Sequence, residues 1–417
     1  MKDVIIIGCG SRGAKAYGMY AVHNPHEMKV VGVADPNKDK QEKFKALFNL
    51  EDHQVYDSYE DILAEGKIAD AAIIATLDRM HYAPVIQALE IGYDILLEKP
   101  ISPDAKECVE IAEVANRNNR SVTVCHVLRY TDFWSKIKQV VSDGVIGDVA
   151  SIQLNENVEY MHMSHSFVRG NWGNSDESSP MILQKSCHDM DIISYIIDKK
   201  CERVSSYGSL MHFNEQYKPA GAPKRCLEGC PVADSCMYHA GNYYLGRGRG
   251  WAGAFVNDVN NNDEIIDALW NTDYGKCVYQ SDNNVVDHQV VNMEFEGGVT
   301  ATFSMCGFTR EQTRIVQIMG TKGEIRGNMS DNSISIYDFQ TREETVVKFP
   351  VPTSGHGGGD DRIMKQFLSH IGRSDTSSLS SIDQSLQSHL MAFAAEESRL
   401  NSGHSVELNA FQQAALK

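Results

Sequence analysis

The chain has 417 residues, enough for two domains, because a single domain usually has about 100–200 residues. Its formal net charge is -17, which argues against nucleic acid or an anionic membrane as a partner. We find no apolar run near the ~18 residues of a membrane helix, and Met1 is followed almost at once by a predicted strand. We therefore expect a cytoplasmic protein whose ten cysteines are reduced, buried or metal-bound.

A glycine-rich turn occupies the end of residues 4–13, VIIIGCGSRG, between an apolar strand and a predicted helix. In a turn of this kind the first glycine permits the tight bend and the second lets a pyrophosphate approach the backbone. The third lets the helix pack against the strand. The helix N-terminus then offers free N–H groups to phosphate. We expect a dinucleotide to bind here, through Gly8, Gly10, Ser11, Arg12 and Gly13.

Asp35 ends the second predicted strand, at the spacing of roughly 20 residues typical of a carboxylate that binds the adenosine ribose. A carboxylate there repels a 2′-phosphate, and no arginine stands beside it. The sequence therefore predicts NAD, with NADP less favoured. The alternative is an ordinary aspartate that ends a strand before the turn residue Pro36.

Further strands are predicted at residues 71–75, 93–97 and 121–125, with helices between them, which is typical of a parallel sheet. The carboxyl ends of such strands line the ligand groove. The residues expected at the cofactor from these ends are Thr76, Leu77, His81, Glu98 and Lys99. We predict that this Rossmann domain covers residues 1–125.

The pattern changes after residue 126 to successive strands with hairpin signals, including the Gly297 and Gly298 corner. We therefore predict an α/β protein. An N-terminal parallel Rossmann sheet is followed by an α+β domain, residues 126–417, that carries a large, mostly antiparallel open sheet. A cysteine-rich insertion is expected near residues 220–280, and the last helices can pack back on the Rossmann domain.

Lys99 lies at the carboxyl end of a predicted parallel strand, and Pro100 restricts the chain beside it. An amine at this place would face the nicotinamide end of a dinucleotide and could exchange a proton with a substrate hydroxyl. The alternative is a solvated surface lysine, which the triplet Glu98, Lys99, Pro100 disfavours.

These motifs together resemble the Gfo/Idh/MocA family of glucose–fructose and inositol-type oxidoreductases. The resemblance rests on GCGSRG, Asp35, LLEKPIS at residues 96–102, HVLRY at residues 126–130 and the sheet-rich second half. It implies a cofactor held between two domains and a homo-oligomer formed through the open sheet. It also implies that Lys99 is the catalytic or substrate-orienting lysine and that Arg129, in HVLRY, lies near the cofactor.

A second catalytic element is expected on the single helix predicted for residues 181–197, where Lys185, His188 and Asp191 recur at intervals of three and share a face. The family usually carries an aspartate four residues before this histidine, but this chain has Gln184, which cannot titrate. Acid–base chemistry is therefore assigned to Lys99 and His188, with Lys185 as a helper. The alternative for His188 is a polar helix residue satisfied by Asp191.

The segment HSFVRGNW, residues 165–172, resembles a substrate loop of one branch of the family. Arginine, histidine and tryptophan suit a polyhydroxylated ligand, although a surface arginine beside a packed tryptophan is the alternative. The candidate substrate residues are Tyr160, His165, Arg169, Trp172 and Asp191, with His162 beside them. A glycine loop at residues 356–360 either closes over the substrate or caps the next helix.

Cys226, Cys230 and Cys236 lie in KRCLEGCPVADSC, and Cys277 follows about forty residues later. Three close thiols in a cytosolic loop predict a structural metal, with Cys277 or His239 as the fourth ligand. Zinc would stabilise an insertion that has little core. An iron–sulfur cluster and reduced or disulfide-linked thiols are the alternatives.

The predicted function is hydride transfer between NAD and a ring carbinol of a sugar, cyclitol or glycoside, with Lys99 and His188 as the proton-transfer groups. A glycosidase that retains NAD, oxidises the sugar transiently and eliminates the aglycone is the first alternative. A non-catalytic dinucleotide sensor is the second, and it would be expected to lack the lysine or the histidine.

Overall fold

The computed structural model describes residues 1–351, 355–373 and 378–415. It contains a six-stranded sheet built from the first third of the chain and a nine-stranded sheet built from the remainder. The first is parallel and the second is mostly antiparallel. The predicted fold class is therefore confirmed.

The parallel sheet has the strand order β3-β2-β1-β4-β5-β6, and every neighbouring pair is parallel. From β1 the chain adds β2 and β3 on one side of the sheet. It then returns and adds β4, β5 and β6 on the other side. Ligands of open α/β sheets bind at such a reversal of strand order. The strands are β1 (Lys2–Ile7), β2 (Met28–Ala34), β3 (Val55–Tyr56), β4 (Ala71–Ile74), β5 (Asp94–Leu97) and β6 (Val122–Val124).

Strand β1 is buried on both faces because its four apolar residues alternate between two cores. Val4 and Ile6 lie in one hydrophobic cluster, and Ile5 and Ile7 lie in the other. Such continuous apolar strands are typical of parallel sheets covered by helices. The helices of this part are α1 (Met19–His23), α2 (Lys38–Phe48), α3 (Tyr59–Ala64), α4 (Tyr82–Ile91) and α5 (Ala105–Arg117).

The second sheet has the strand order β14-β13-β12-β11-β7-β10-β9-β8-β15. β7 and β10 pair in parallel, and the other recorded pairs are antiparallel. The sequence pattern did not predict the two outermost strands, which are short or mostly exposed. The strands are β7 (Val149–Glu159), β8 (Cys201–Ser209), β9 (His288–Phe295), β10 (Val299–Thr309), β11 (Thr313–Gly320), β12 (Gly323–Asn328), β13 (Ser333–Asp338), β14 (Glu344–Lys348) and β15 (Val406–Glu407).

Helices flank this sheet and also return to the first one. Ile363, Met364 and Phe367 of the helix that follows residue 358 share a core with Val4 and Tyr17 of the parallel-sheet region. Among the described helices, we find none that is long and apolar enough to cross a membrane. The helices are α6 (Asp132–Ser142), α7 (Tyr160–His162), α8 (Met181–Gln184), α9 (Cys187–Ile197), α10 (Ala240–Tyr244), α11 (Asn262–Asn271), α12 (Gly359–His370), α13 (Ile382–Leu400) and α14 (Leu408–Ala415).

Candidate active site

The three glycines of the turn after β1 differ in what surrounds them. Gly8 has a φ of +97°, and a Cβ there would lie 2.6 Å from the carbonyl oxygen of Ala75. A Cβ on Gly13 would lie 2.1 Å from the oxygen of Gly8, whereas a Cβ on Gly10 would meet nothing within 4 Å. Ser11 is exposed at the start of the following helix. The fold itself therefore requires the outer glycines, and Gly10 leaves the space that a pyrophosphate needs.

Asp35 lies at the carboxyl end of β2 and is 6% exposed. Its carboxylate accepts hydrogen bonds from the backbone N–H groups of Cys9, at 2.8 Å, and Asn37, at 2.9 Å. The ammonium of Lys40 is 3.9 Å away. The bond from Cys9 fixes the carboxylate beside the glycine turn, where an acceptor for a ribose hydroxyl is needed.

Arg12 joins two carboxylates from distant parts of the chain. Its guanidinium pairs with Glu98 and, at 2.9 Å, with Asp360 on α12. Burial opposes the ionisation of Glu98, but Arg12 and Lys99 outweigh burial, and the pKa of Glu98 is lowered. The other oxygen of Glu98 accepts the backbone N–H of Lys99 at 2.7 Å. Glu98 is thus a fixed anion that holds the backbone of Lys99 in place.

Lys99 reaches from the end of β5 to the junction of α8 and α9. Its Nζ donates a hydrogen bond of 2.6 Å to the carbonyl oxygen of Gln184, the last residue of α8. The single helix predicted for residues 181–197 is interrupted here, because α8 ends at Gln184 and α9 begins at Cys187. The interruption brings this main-chain carbonyl to the lysine.

His188 lies in a group of imidazoles close to Lys99. Its ring centroid is 5.8 Å from that of His126 and 6.1 Å from that of His356. Burial and then the charge of Lys99 lower the pKa of His188 well below its ordinary value. In the part of the chain that the structure describes, its Nδ1 has no hydrogen-bond partner. The imidazole is therefore neutral, and one of its ring nitrogens is buried without a partner among the described residues.

Two further histidines of this group were not predicted as site residues. His126 follows the strand end at β6 and lies 3.6 Å from a carboxylate oxygen of Asp191. The rule that ligands bind beyond the carboxyl ends of parallel strands could have identified it. His389 lies on α13, where its Nε2 accepts the N–H of Ile101 at 3.0 Å. No motif in the sequence indicates that contact.

Lys185 lies in a buried network of four charges. Its Nζ is 3.2 Å from Glu156 of β7, which also pairs with Arg314 of β11 at 2.7 Å. Arg314 pairs in turn with Asp189, at 2.7 Å. Burial lowers the pKa of Lys185, and burial raises the pKa of Asp189 to about 6 despite Arg314. Glu156 could have been found, because it occupies an inward position of an alternating strand.

Asp191 and Arg129 are paired with each other, although Asp191 was expected at the substrate and Arg129 at the cofactor. The guanidinium donates two hydrogen bonds of 2.7 Å to the carboxylate, and both side chains are buried. Arg129 also donates to the carbonyl of Leu379 and the amide oxygen of Gln384. A forked guanidinium matches a carboxylate in two hydrogen bonds, so each charge is satisfied without a ligand.

His165 and Arg169, expected at the substrate, contact the cysteine-rich insertion instead. Nδ1 of His165 lies 2.7 Å from the hydroxyl of Tyr244. Arg169 donates to the carbonyl oxygens of Lys276, at 2.8 Å, and Tyr238, at 2.7 Å. Among the recorded contacts of the described residues, neither side chain reaches Lys99. These hydrogen bonds to main-chain carbonyls compensate the Arg169 guanidinium for its loss of contact with water.

The other predicted substrate residues are more accessible. Trp172 is 41% exposed, and its carbonyl oxygen accepts a hydrogen bond of 2.8 Å from Gln184. The hydroxyl of Tyr160 accepts a hydrogen bond from Arg247, and Nδ1 of His162 is 2.8 Å from Gln312. Trp172 is therefore bonded to Gln184, the residue whose main-chain oxygen accepts the hydrogen bond from Lys99.

The loop after β4 is connected to the loop after β5 by His81. Its two ring nitrogens lie 2.8 Å from the carbonyl oxygen of Pro100 and 3.2 Å from that of Thr76. The Thr76 hydroxyl donates to the carbonyl of Met80, and Leu77 is 58% exposed. His81, expected at the cofactor, is fully buried and positions the backbone next to Lys99.

The four cysteines that were predicted as metal ligands line a single small cavity. Within the described ranges, however, we find no group of three His, Cys, Asp or Glu residues that could hold a metal ion. All ten cysteines are free thiols. The structure therefore does not support the expected single zinc ion, although it brings together Cys226, Cys230, Cys236 and Cys277.

The glycine turn at the reversal of strand order, with Asp35 beside it, defines an NAD-binding Rossmann protein of the oxidoreductase class. Residues 2–126 match the family described as "Oxidoreductase family, NAD-binding Rossmann fold". Residues 138–408 match the family described as "Oxidoreductase family, C-terminal alpha/beta domain". The chain belongs to the Gfo/Idh/MocA family, as the sequence motifs predicted.

Similar proteins include YteT of Bacillus subtilis, named as an oxidoreductase, which is 24% identical over 392 residues, 88% of this chain and 89% of YteT. The 2,7-anhydro-N-acetylneuraminate hydratase of Escherichia coli is 23% identical over 49% of this chain and 51% of its own length. A structure of levoglucosan dehydrogenase with NADH and levoglucosan has a TM-score of 0.70 at 17% identity, covering 97% of this chain and 99% of that one. The two structures therefore share this fold over nearly the full length of both chains.

Proposed function

We propose that this protein is an NAD-dependent dehydrogenase that interconverts a ring carbinol and a ketone in a sugar, cyclitol or glycoside. The observation that carries the proposal is that the half-buried Lys99, at the carboxyl end of β5, lies close to the buried His188 of α9. Its position relative to the glycine turn is that of the reacting end of a dinucleotide. The levoglucosan dehydrogenase of the same fold acts on a sugar derivative, which supports the substrate class.

The residues at the glycine turn fit the cofactor. Gly10 leaves open space in front of the backbone, and the Asp35 carboxylate is fixed beside the turn by the N–H of Cys9. A carboxylate repels the 2′-phosphate of NADP, so we expect NAD to be preferred. When bound, NAD supplies the acceptor for the hydride.

The chain supplies the proton transfer. His188 is held neutral by burial and by the neighbouring charge of Lys99, so it can accept the hydroxyl proton when a carbinol is oxidised. The ammonium of Lys99 can donate a hydrogen bond to the same oxygen and stabilise the negative charge that develops there. In the reverse direction the two groups return the proton to the ketone oxygen. General acid–base catalysis of this kind contributes about 10²–10⁴-fold to a rate.

A glycosidase that retains NAD and acts by transient oxidation and elimination is the second candidate. The observation that favours it is the similarity to an anhydroneuraminate hydratase, whose named reaction has no net redox change. Lys99 and His188 would serve the same proton transfers in both reactions. A non-catalytic dinucleotide sensor has no use for a neutral histidine beside this lysine, and we do not favour it.

The experiment that separates these functions is turnover of sugars, inositols and aryl glycosides with NAD, and with NADP in parallel. The dehydrogenase predicts NADH in equal amount to a ketone product identified by mass spectrometry. Release of an aglycone without net NADH would favour the second candidate. A larger rate with NADP would contradict the role given to Asp35.

The outward face of the second sheet supports a homo-oligomer. Tyr207, Val290 and Ile315 lie in one row across β8, β9 and β11, with Ser304 and Asn155 between them. The three apolar residues are 57%, 43% and 39% exposed. We expect this face to pack against a second copy. Sedimentation should therefore give a larger particle for the native chain than for Ile315→Glu.

A further inference from the structure

The cysteine-rich insertion brings four thiols from two segments to one small cavity. Three of them come from the loop that contains Cys226, Cys230 and Cys236, and the fourth is Cys277. We propose that these four cysteines bind an iron–sulfur cluster of four irons, which links the two ends of the insertion. This site is separate from the groups assigned to catalysis.

Backbone pairing fixes two of the four ligands. Arg225 and Lys276 form an isolated antiparallel bridge, in which the N–H of Cys226 donates to Gly275 and the N–H of Cys277 donates to Lys224, each at 2.9 Å. Cys226 and Cys277 directly follow the two bridged residues. Because side chains alternate along paired strands, both thiols lie on the face opposite Arg225 and Lys276. The pairing therefore directs both sulfurs to the same side.

Arg169 supplies a positive charge at this cavity. It is 3% exposed, and its Nη2 lies 3.6 Å from the sulfur of Cys226. Its Nη1 has no hydrogen-bond partner within the described ranges, although Arg169 lines the cavity. A buried N–H donor without a partner costs free energy, and hydrogen bonds to cluster sulfurs are one of the ways in which proteins tune such clusters. An anionic cluster would give this guanidinium its missing acceptor.

The arrangement favours a cluster over a single ion. A structural zinc ion needs four protein ligands around one centre, and the described residues contain no group of three that would suffice. In a four-iron cluster each iron takes one cysteine, and inorganic sulfide completes its coordination, so the four thiols stand further apart. His239 is not a substitute ligand, because its Nε2 lies 2.9 Å from the carbonyl oxygen of Cys226 and its Nδ1 accepts the N–H of Asn242. The available donor set is therefore four cysteines.

The loop that carries Cys226, Cys230 and Cys236 continues to Tyr238, whose carbonyl oxygen accepts a hydrogen bond from Arg169. Arg169 lies on the segment that continues to Trp172, so the cluster would fix that segment as well as the insertion.

The test is iron and acid-labile sulfide analysis of the full-length protein, purified without oxygen and reconstituted with ferrous iron and sulfide. We expect about four irons and four sulfides per chain, with an electron paramagnetic resonance signal after reduction. Cys236→Ser should lose most of both. Cys306→Ser, on β10 and outside the cavity, should retain them.

Several results would overturn the proposal. These are a native protein without iron and sulfide after reconstitution, zinc bound without sulfide, about two irons per chain, or disulfides between the four cysteines. Full iron and sulfide content in Cys236→Ser would overturn the ligand assignment. If circular dichroism shows that Cys236→Ser is unfolded, the half-buried Cys230→Ser replaces it, and the content of the native protein still decides whether a cluster binds.

Discussion

Nζ of Lys99 donates a hydrogen bond of 2.6 Å to the main-chain oxygen of Gln184, across the boundary between the strand end of β5 and the end of helix α8. The lysine is therefore oriented by a group that does not titrate. The side-chain amide of Gln184 donates to the carbonyl of Trp172. The proposed proton exchange therefore rests on Lys99 and His188.

Substitutions of the turn glycines should separate folding from cofactor binding. Gly13→Ala would place a methyl group 2.1 Å from the backbone oxygen of Gly8, and we expect a loss of stability of at least about 1–3 kcal/mol. Gly10→Ala meets no protein atom within 4 Å, so it should fold normally but weaken NAD binding by roughly tenfold or more. Thermal unfolding and calorimetric titration with NAD measure the two effects. Unchanged NAD affinity in Gly10→Ala would contradict the account of the turn.

The buried Arg129–Asp191 pair should contribute more to stability than an exposed pair of similar geometry. Asp191→Ala leaves the buried guanidinium without its partner, and we expect a loss of about 3–5 kcal/mol. Asp132 pairs with Arg362 through two oxygens, but both side chains are about half-exposed, so Asp132→Ala should cost less than about 1 kcal/mol. Urea unfolding at neutral pH gives both values. Equal losses would show that Asp191 is not primarily a structural partner.

His389 should make the protein less stable as the pH falls. Nε2 accepts the N–H of Ile101, Nδ1 lies 2.9 Å from the carbonyl of Ser385, and burial lowers the pKa of His389 to about 3. His126, Lys99 and Asp191 also face this ring. Between about pH 6.5 and about pH 3 the unfolded chain binds a proton that the folded chain does not, so stability falls with pH.

We expect this histidine to account for about 2 kcal/mol of the stability lost between pH 7 and pH 5. His389→Gln retains a donor and an acceptor but does not titrate. Between pH 7 and pH 5, the free energy of unfolding of His389→Gln, measured in urea, should therefore fall by about 2 kcal/mol less than that of the native chain. An identical fall in the two proteins would contradict the assignment.

Patterns local in sequence predicted the parallel sheet, the glycine turn, Asp35 and Lys99, because each is set by a strand and the residues that directly follow it. Contacts between distant segments could not be predicted in this way. Nothing near Arg169 indicates that its guanidinium bonds to the carbonyl oxygens of Tyr238 and Lys276. A helical period over residues 181–197 conceals the interruption that exposes the Gln184 carbonyl to Lys99.

Candidate site residues that directly follow a parallel strand could be predicted from the sequence. Residues placed by contacts between two distant elements could not. His126 follows a parallel strand and could have been included by the same rule that identified Lys99. His389 lies on the last long helix, and its contact with Ile101 depends on how that helix returns to the first sheet. Such docking leaves no local signature in the sequence.

The central claim is that Lys99 acts in the chemical step, and the most direct test is the turnover of Lys99→Met on the substrate that the sugar panel identifies. The account predicts a loss in kcat of about 10²-fold or more, with saturable NAD binding retained. Lys106→Met, at an exposed lysine on α5, should turn over at the native rate. A Lys99→Met protein that turns over as fast as the native enzyme would contradict the account.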